Sequence, residues 1–450
     1  MSFPRYPAYK PSGVVWLGEV PEHWQEKPLK TITSINDEVL PESLSPDHEI
    51  EYVDIGSVSL ANGIEKTEAM PFGDAPSRAR RIPRDGDVLV STVRTYLKAI
   101  APVVNPPSNL VASTGFAVVR PRHGLEPGFL KYALQEEHFI QQVISRSTGV
   151  SYPAINASDV AKISLNLPGS SEQLAIATFL DHETTKIDAL IAEQQRLIEL
   201  LQEKRQAVIS HAVTKGMNPH APMKDSGVEW LGEVPEHWST TALKRIVSVS
   251  GRIGFRGYTT EDLVPEGEGA LVLGGANLTS EGRLDLSKQT FISWHKYEES
   301  PEIKVSINDL VIGQRGTCGK VVMIDHDIGP ATINPSLVLL RRPTVDSEFL
   351  CYWLMGDLVQ SIFESFLNAT AVPMLSQQQI GNVRVIYPPL DEQRAIVSFV
   401  TAETAGLDTL TAEAKCAIAL LQERRSALIS AGVTGLIDVR CFVDVKGAAS

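Results

Sequence analysis

Two stretches of the chain repeat apolar residues at helical spacing over many turns. In the first, Leu180, Ile187, Gln194, Leu201 and Val208 recur every seven residues, with Ile191 and Ile198 at the alternate position. In the second, Val400, Leu407, Ala414, Leu421 and Leu428 recur likewise, with Leu410 and Ile418 between them. No proline lies between Glu172 and Met217. The pattern predicts two long amphipathic helices, each with a seam that wants a partner helix. A helix of roughly 39 residues is about 58 Å long. Pairing with each other is the expectation, although each could instead lie on its own domain. Gln194 in the seam costs stability and can set register.

Between the helices the pattern changes. Apolar, β-branched runs bounded by Gly, Pro, Asn and Asp predict strands at Ile50–Ile55, Asp87–Thr92, Phe116–Arg120, Leu271–Leu273, Leu310–Ile312, Lys320–Ile324 and Leu337–Leu340. Helical patches follow at Gly128–Ile144 and Ser347–Leu367. Each insert reads as a mixed α/β globule. The two halves are copies of one frame. Ser12–Trp24 and Ser226–Trp238 differ only at Val15 against Glu229, and Glu172–Lys215 matches Glu392–Gly435 at half of its positions. The contents have diverged, leaving anchors such as Asp87/Asp309, Phe129-Leu130/Phe349-Leu350, Tyr132/Tyr352, Pro153/Pro373 and Pro168/Pro388. Met217–Asp225 reads as a turn-rich linker, and the tail after Leu436 has no strong pattern.

Composition narrows the possibilities. The chain has 450 residues, 43% hydrophobic and 21% charged, enough to bury sizeable cores. Its formal net charge of −13 excludes a broadly basic nucleic-acid coat but not local patches. Cys318, Cys351, Cys416 and Cys441 form no CxxC, which points away from a disulfide framework or a cysteine zinc site and suits a reducing cytosol. No apolar run approaches a membrane span, and Met1–Lys10 has no secretory core, so a cytoplasmic protein is expected.

Catalytic signatures fail when tested. Asn105-Pro106-Pro107-Ser108 lacks the aromatic that a base-flipping methyltransferase motif needs. Gly313–Lys320 (GQRGTCGK) has the wrong glycine spacing for a phosphate-binding loop, and Val321 replaces the magnesium-binding Ser/Thr. There is no HExxH and no GxSxG. His23 and His237 are expected to be structural, beside Trp24 and Trp238. Charge is more informative locally. Arg78, Arg80, Arg81, Arg84, Arg94 and Lys98 oppose only Asp85 and Asp87 within their segment. Lys244, Arg245, Arg252 and Arg256 occur without an acid, among Gly251, Gly254, Gly257, Phe255 and Tyr258. Such patches suit phosphate or guanine contacts, or are solvated faces.

The opening segment SGV(V/E)WLGEVPEHW, the run Ser147–Ile155 (STGVSYPAI), Leu167-Pro168 leading to Glu172-Gln173, and Pro388–Gln393 together resemble specificity subunits of Type I restriction-modification systems. The second half departs at Asn368–Ser376 (NATAVPMLS), where the usual TG is missing. The resemblance implies two α/β target-recognition domains joined by two long antiparallel coiled-coil helices, with an internal pseudo-twofold repeat. The domains would be residues 12–170 and 226–390, the spacer helices 171–216 and 391–435, and the linker 217–225. Each domain would read one half of a split, asymmetric double-stranded DNA target, with the helices setting the gap. Such a chain has no catalysis or cofactor of its own. It recruits two methylation (M) subunits using S-adenosylmethionine and restriction (R) subunits using ATP and Mg2+, with no membrane role. The candidate DNA-binding residues are Arg78, Arg80, Arg81, Arg84, Arg94, Lys98, Ser147, Thr148, Tyr152, Lys244, Arg245, Arg252, Arg256, Tyr258, Arg315 and Lys320. Helix pairing falls to Leu180, Ile187, Ile191, Ile198, Leu201 and Val208 against Val400, Leu407, Leu410, Ile418, Leu421 and Leu428. A coiled-coil protein–protein scaffold without a DNA role is the alternative.

Overall fold

The computed structural model describes residues 3–13, 17–252, 257–368 and 373–442. The chain divides into two compact units, Met1–Gln194 with Cys416–Ser450, and Gln195–Lys415. Each long helix, Ser170–Lys215 and Leu390–Val433, therefore contributes one stretch to each unit.

In the first unit an antiparallel sheet runs in the order Ile100–Pro102, Val88–Ser91, Phe116–Pro121, Thr33–Ile35. Residues alternate between its faces. Val88 and Val90 pack with Phe129, Leu130 and Phe139, while Leu89 packs with Val53, Leu110 and Ala112 of a second sheet. Burial on both faces explains why this strand reads as an unbroken apolar run. The second sheet is ordered Glu68–Pro71, Glu49–Val53, Leu110–Ser113, Ala79–Arg81, with its central pair parallel. The second unit repeats the design. Its first sheet is ordered Ser248–Gly251, Leu337–Arg341, Leu310–Gly313, Val321–Met323. Its second sheet also has a parallel central pair, Gly269–Leu273 with Ala331–Ile333. The second sheets differ at their edges, where the first unit adds Ala79–Arg81 and the second adds Leu263–Val264 at the opposite side. Each single helical patch of the sequence is a helix pair. Glu136 breaks the first by capping Glu137–Ser145 through His138 N at 2.7 Å, and Gly356 separates Ser347–Met355 from Asp357–Asn368.

The repeated segments dock in the same way in both units. Glu172 accepts from Trp24 Nε1 at 3.1 Å and meets His23 Nε2 at 2.8 Å. Glu392 does the same with Trp238 Nε1 at 3.2 Å and His237 Nε2 at 2.6 Å. The neighbouring glutamine closes the next joint: Gln173 accepts from Glu126 N and Gln393 from Asp346 N. Glycine ends each long helix for a steric reason. Gly435 has φ +75°, and a Cβ there would lie 2.3 Å from Pro21 Cδ. Two regions without a readable pattern are ordered. Met223–Asp225, at the end of the predicted linker, pairs with Glu233–Pro235. Beyond Leu436, Asp438 N donates to Pro4 O at 2.8 Å, and Phe442 packs against Phe3 and Phe179 with centroids 5.6 and 5.5 Å apart.

The helix stretches run antiparallel within each unit. In the first, Gly432 lies against Leu180, and Arg425 Nε donates to Asp188 Oδ1 at 2.8 Å. In the second, Gly216 lies against Glu392, and Arg205 Nε donates to Asp408 Oδ1 at 3.1 Å. Leu180, Ile187, Ile198, Leu201, Val400, Leu407, Ala414 and Leu428 are buried, and Ile191, Ile418 and Leu421 are half-buried. Two assignments change. Leu410 is 48% exposed, because three residues on from Leu407 it is turned about 60° off the Val400–Leu407–Ala414 line. Val208 is half-buried and Ile209 fully buried in its place. A seven-residue repeat drifts about 20° per heptad on a straight helix, so the next residue inherits the seam.

Truncation should separate seam from outer face. Leu180→Ala, at a fully buried site, should cost about 2–5 kcal/mol in denaturant unfolding. Leu410→Ala should stay within about 0.5 kcal/mol. Equal losses would contradict the seam described here.

Candidate nucleic-acid interface

The inner strand of the first sheet runs out into a turn, and in both units a second loop is pinned to that turn. In the first unit Ile155 N donates to Thr92 O at 2.9 Å and Arg94 N to Pro153 O at 2.8 Å. The second loop closes on itself through reciprocal Thr148–Ala154 bonds of 2.8 and 2.9 Å. Ser147 Oγ lies 2.8 Å from Thr95 Oγ1 and donates to Val143 O, so Ser147 positions the loop. Gly149 has φ +108°, and a Cβ there would sit 3.1 Å from Tyr152 O, which explains the TG of STGVSYPAI. Arg94 and Lys98 take left-handed φ of 50° and 52° on either side of the one-turn helix Thr95–Leu97. From this frame Arg94, Tyr96, Leu97, Thr148, Val150 and Tyr152 face solvent. The Arg94 guanidinium lies 4.9 Å from the Tyr152 ring centroid.

The second unit carries the same joint with different side chains. Leu375 N donates to Gln314 O at 3.0 Å, and Arg315 bridges to Met374. The run GQRGTCGK is this turn: a Cβ on Gly313 would fall 2.0 Å from Thr317 O, and Gly316 and Gly319 have positive φ. Arg315 and Lys320 are exposed at its surface. Of the departing loop NATAVPMLS, residues 369–372 lie outside the described residues.

The basic patches look different once folded. Arg78 pairs with Asp54 at 3.0 Å, Arg84 with Glu38 at 2.8 Å and Lys98 with Glu137 at 3.0 Å. Arg120 bridges Glu38 and Asp87. Partial burial works to raise the Glu38 pKa, but hydrogen bonds from Arg120 and Arg84 prevail and hold it below the usual glutamate range. Arg80 lies over Phe72 at 4.9 Å, and burial pulls the Arg81 pKa down. Among the described residues, Arg94 alone of the exposed bases in this segment has no carboxylate partner. In the second patch Arg252 is a correction. It is 5% exposed, donates to Ile333 O and Thr332 Oγ1 at 3.1 Å each, and stacks on half-buried Tyr258. A guanidinium held inside by a backbone carbonyl and a hydroxyl serves the fold, not a phosphate. Lys244 and Arg245 remain exposed, Lys244 donating to Asn382. Arg256 lies outside the described residues.

Tyr96, Leu97 and Val150 were not legible as surface residues, since nothing in an apolar side chain's neighbours in sequence marks it as solvent-facing. Among the described residues no cluster of three or more His, Cys, Asp or Glu could hold a metal ion, and no helix is long and apolar enough to cross a membrane.

The two kinds of arginine should separate in stability measurements. Arg252→Ala leaves buried acceptors unsatisfied and should cost about 1–3 kcal/mol. Arg84→Ala breaks an exposed pair and should cost at most about 1 kcal/mol. Thermal or denaturant unfolding of the full chain checks both.

Comparison with known proteins agrees with this architecture. EcoKI specificity subunit, a type I restriction enzyme subunit of Escherichia coli K12, is 20% identical over 93% of this chain and 90% of its own. The type I restriction enzyme MjaVIII specificity subunit of Methanocaldococcus jannaschii is 25% identical over 60% of this chain and 61% of its own. A solved chain from work on complex assembly and conformational transition of the type I R-M system shares the fold, with TM-score 0.67 and 22% identity over 92% of this chain and 99% of that one. The profile of the Type I restriction modification DNA specificity domain matches residues 21–201 and 282–418, one stretch reaching into each repeat. The chain belongs to the specificity-subunit family of Type I restriction-modification systems.

Proposed function

We propose that this chain supplies the DNA address of a Type I complex, each unit reading one half of a split target. One observation carries the reading: the same pinned turn recurs in both units, with a different exposed surface in each. A conserved joint under a changed surface suits two readers of unlike half-sites. A scaffold without a DNA role leaves the family match unexplained. The long helices set the gap, because two linked sites bind together only when their spacing fits. Their exposed leucines, Leu190 and Leu420 in the first unit and Leu197, Leu200 and Leu410 in the second, are the positions we assign to contacts with the methylation subunits. The chemistry belongs to partners: methylation subunits using S-adenosylmethionine and restriction subunits using ATP and magnesium.

Sequencing DNA methylated in cells that express the chain with and without its methylation subunit tests this. A split motif that appears only with both supports the reading, and its absence from an assembled complex overturns it. Removing seven residues from each helix, 190–196 and 410–416, should shorten the spacer by about 10 Å. At about 3.4 Å per base pair the unread gap should shrink by about three pairs. An unchanged gap would refute the spacer role.

A further inference from the structure

We infer that Arg94, stacked on Tyr152, reads a guanine in the half-site bound by the first unit. The inference rests on the DNA reading above and names the group that carries specificity within it. Four observations converge. Arg94 is exposed, and its side chain neither pairs with a carboxylate nor donates to a protein acceptor among the described residues. Its neighbours Arg78, Arg84 and Lys98 pair with acids, and Arg80 and Arg81 are half-buried, so among the described residues of the segment this is the exposed cation left to an outside anion or acceptor. The guanidinium lies over the Tyr152 ring at 4.9 Å, and Tyr152 is itself 65% exposed. Both residues sit on backbone that is pinned: Arg94 N donates to Pro153 O, and Thr148 and Ala154 close the loop that carries Tyr152.

The geometry favours a base over a phosphate. Lying over an aromatic ring restrains where the guanidinium sits, and its N–H donors, unused within the protein among the described residues, remain for outside acceptors. Guanine presents two such acceptors, O6 and N7, side by side in the major groove. The exposed Tyr96, Leu97 and Val150 around Arg94 are apolar or aromatic. Leu97 and Val150 suit base edges and thymine methyl groups and gain nothing from a phosphate, while Tyr96 can serve either. The left-handed φ of Arg94 adds to the case for a residue held in place for a contact.

The test uses the full chain assembled with its methylation subunits and duplexes randomised across both half-sites, with bound DNA sequenced. The wild-type complex should prefer one G·C pair in the first half-site. Arg94→Ala should lower that preference about ten-fold or more at that pair, with the second half-site unchanged. Tyr152→Ala should broaden the same pair, and Arg94→Lys should keep binding while weakening the preference. Both side chains are exposed, so the variants should unfold as the wild type does. An unchanged profile, or a change centred on an A·T pair, overturns the inference. So does an equal loss across all sequences with a shallower salt dependence, the mark of a phosphate contact. A wild-type complex without any split preference overturns the DNA reading itself, and this inference with it.

Discussion

A carboxylate at the start of each long helix holds the frame together. Glu172 and Glu392 each engage an indole N–H and an imidazole of the opening segment. Trp24 and Trp238 are buried, so an indole without its acceptor costs about 1–3 kcal/mol. The acid also sits in the first turn of a helix, where the backbone dipole favours negative charge. One side chain thus fixes where the opening segment lies, how the helix begins and where the glutamine after it closes the neighbouring loop.

From that anchor the helix stretches inherit their register. The duplication gives each long helix one Asp and one Arg at matching places, Asp188 with Arg205 and Asp408 with Arg425. Antiparallel packing brings Asp188 to Arg425 in the first unit and Arg205 to Asp408 in the second. A polar pair beside an apolar seam contributes little energy when exposed, but it penalises other registers. A frame specified this closely leaves the loops free to change. The turn after the inner strand keeps one backbone bond and its adjoining bridge, Ile155 N to Thr92 O in one unit and Leu375 N to Gln314 O in the other, while its exposed residues differ, Arg94 and Tyr96 in one unit and Arg315 in the other.

Charge shows how folding rearranges what a linear reading counts. Half of the first basic segment is paired in three dimensions, since Glu38 and Asp54 come to it from loops and Glu137 from a helix. The second loses Arg252 to the interior. An acidic chain can still present a cation where it matters, provided that one arginine escapes pairing. Arg94 does among the described residues: its backbone N donates to Pro153 O, its guanidinium lies over the Tyr152 ring, and no carboxylate pairs with it.

By itself the sequence determined the duplicated frame, the two helices and the family. Those signals are periodic or repeated, so they survive without knowledge of what each residue touches. A minority of the strands were legible as well: Val88–Ser91 and Leu310–Gly313 are buried on both faces and read as apolar runs, whereas short strands such as Ile100–Pro102 and Ala331–Ile333 show their pairing only in the folded sheets. Tertiary structure alone decided which seam residues meet a partner, as Leu410 and Val208 show, because a straight helix drifts against a heptad. It alone decided that residues beyond Leu436 belong to the first core. It alone sorted the arginines, because a charge is free or neutralised according to acids brought from distant positions in the chain.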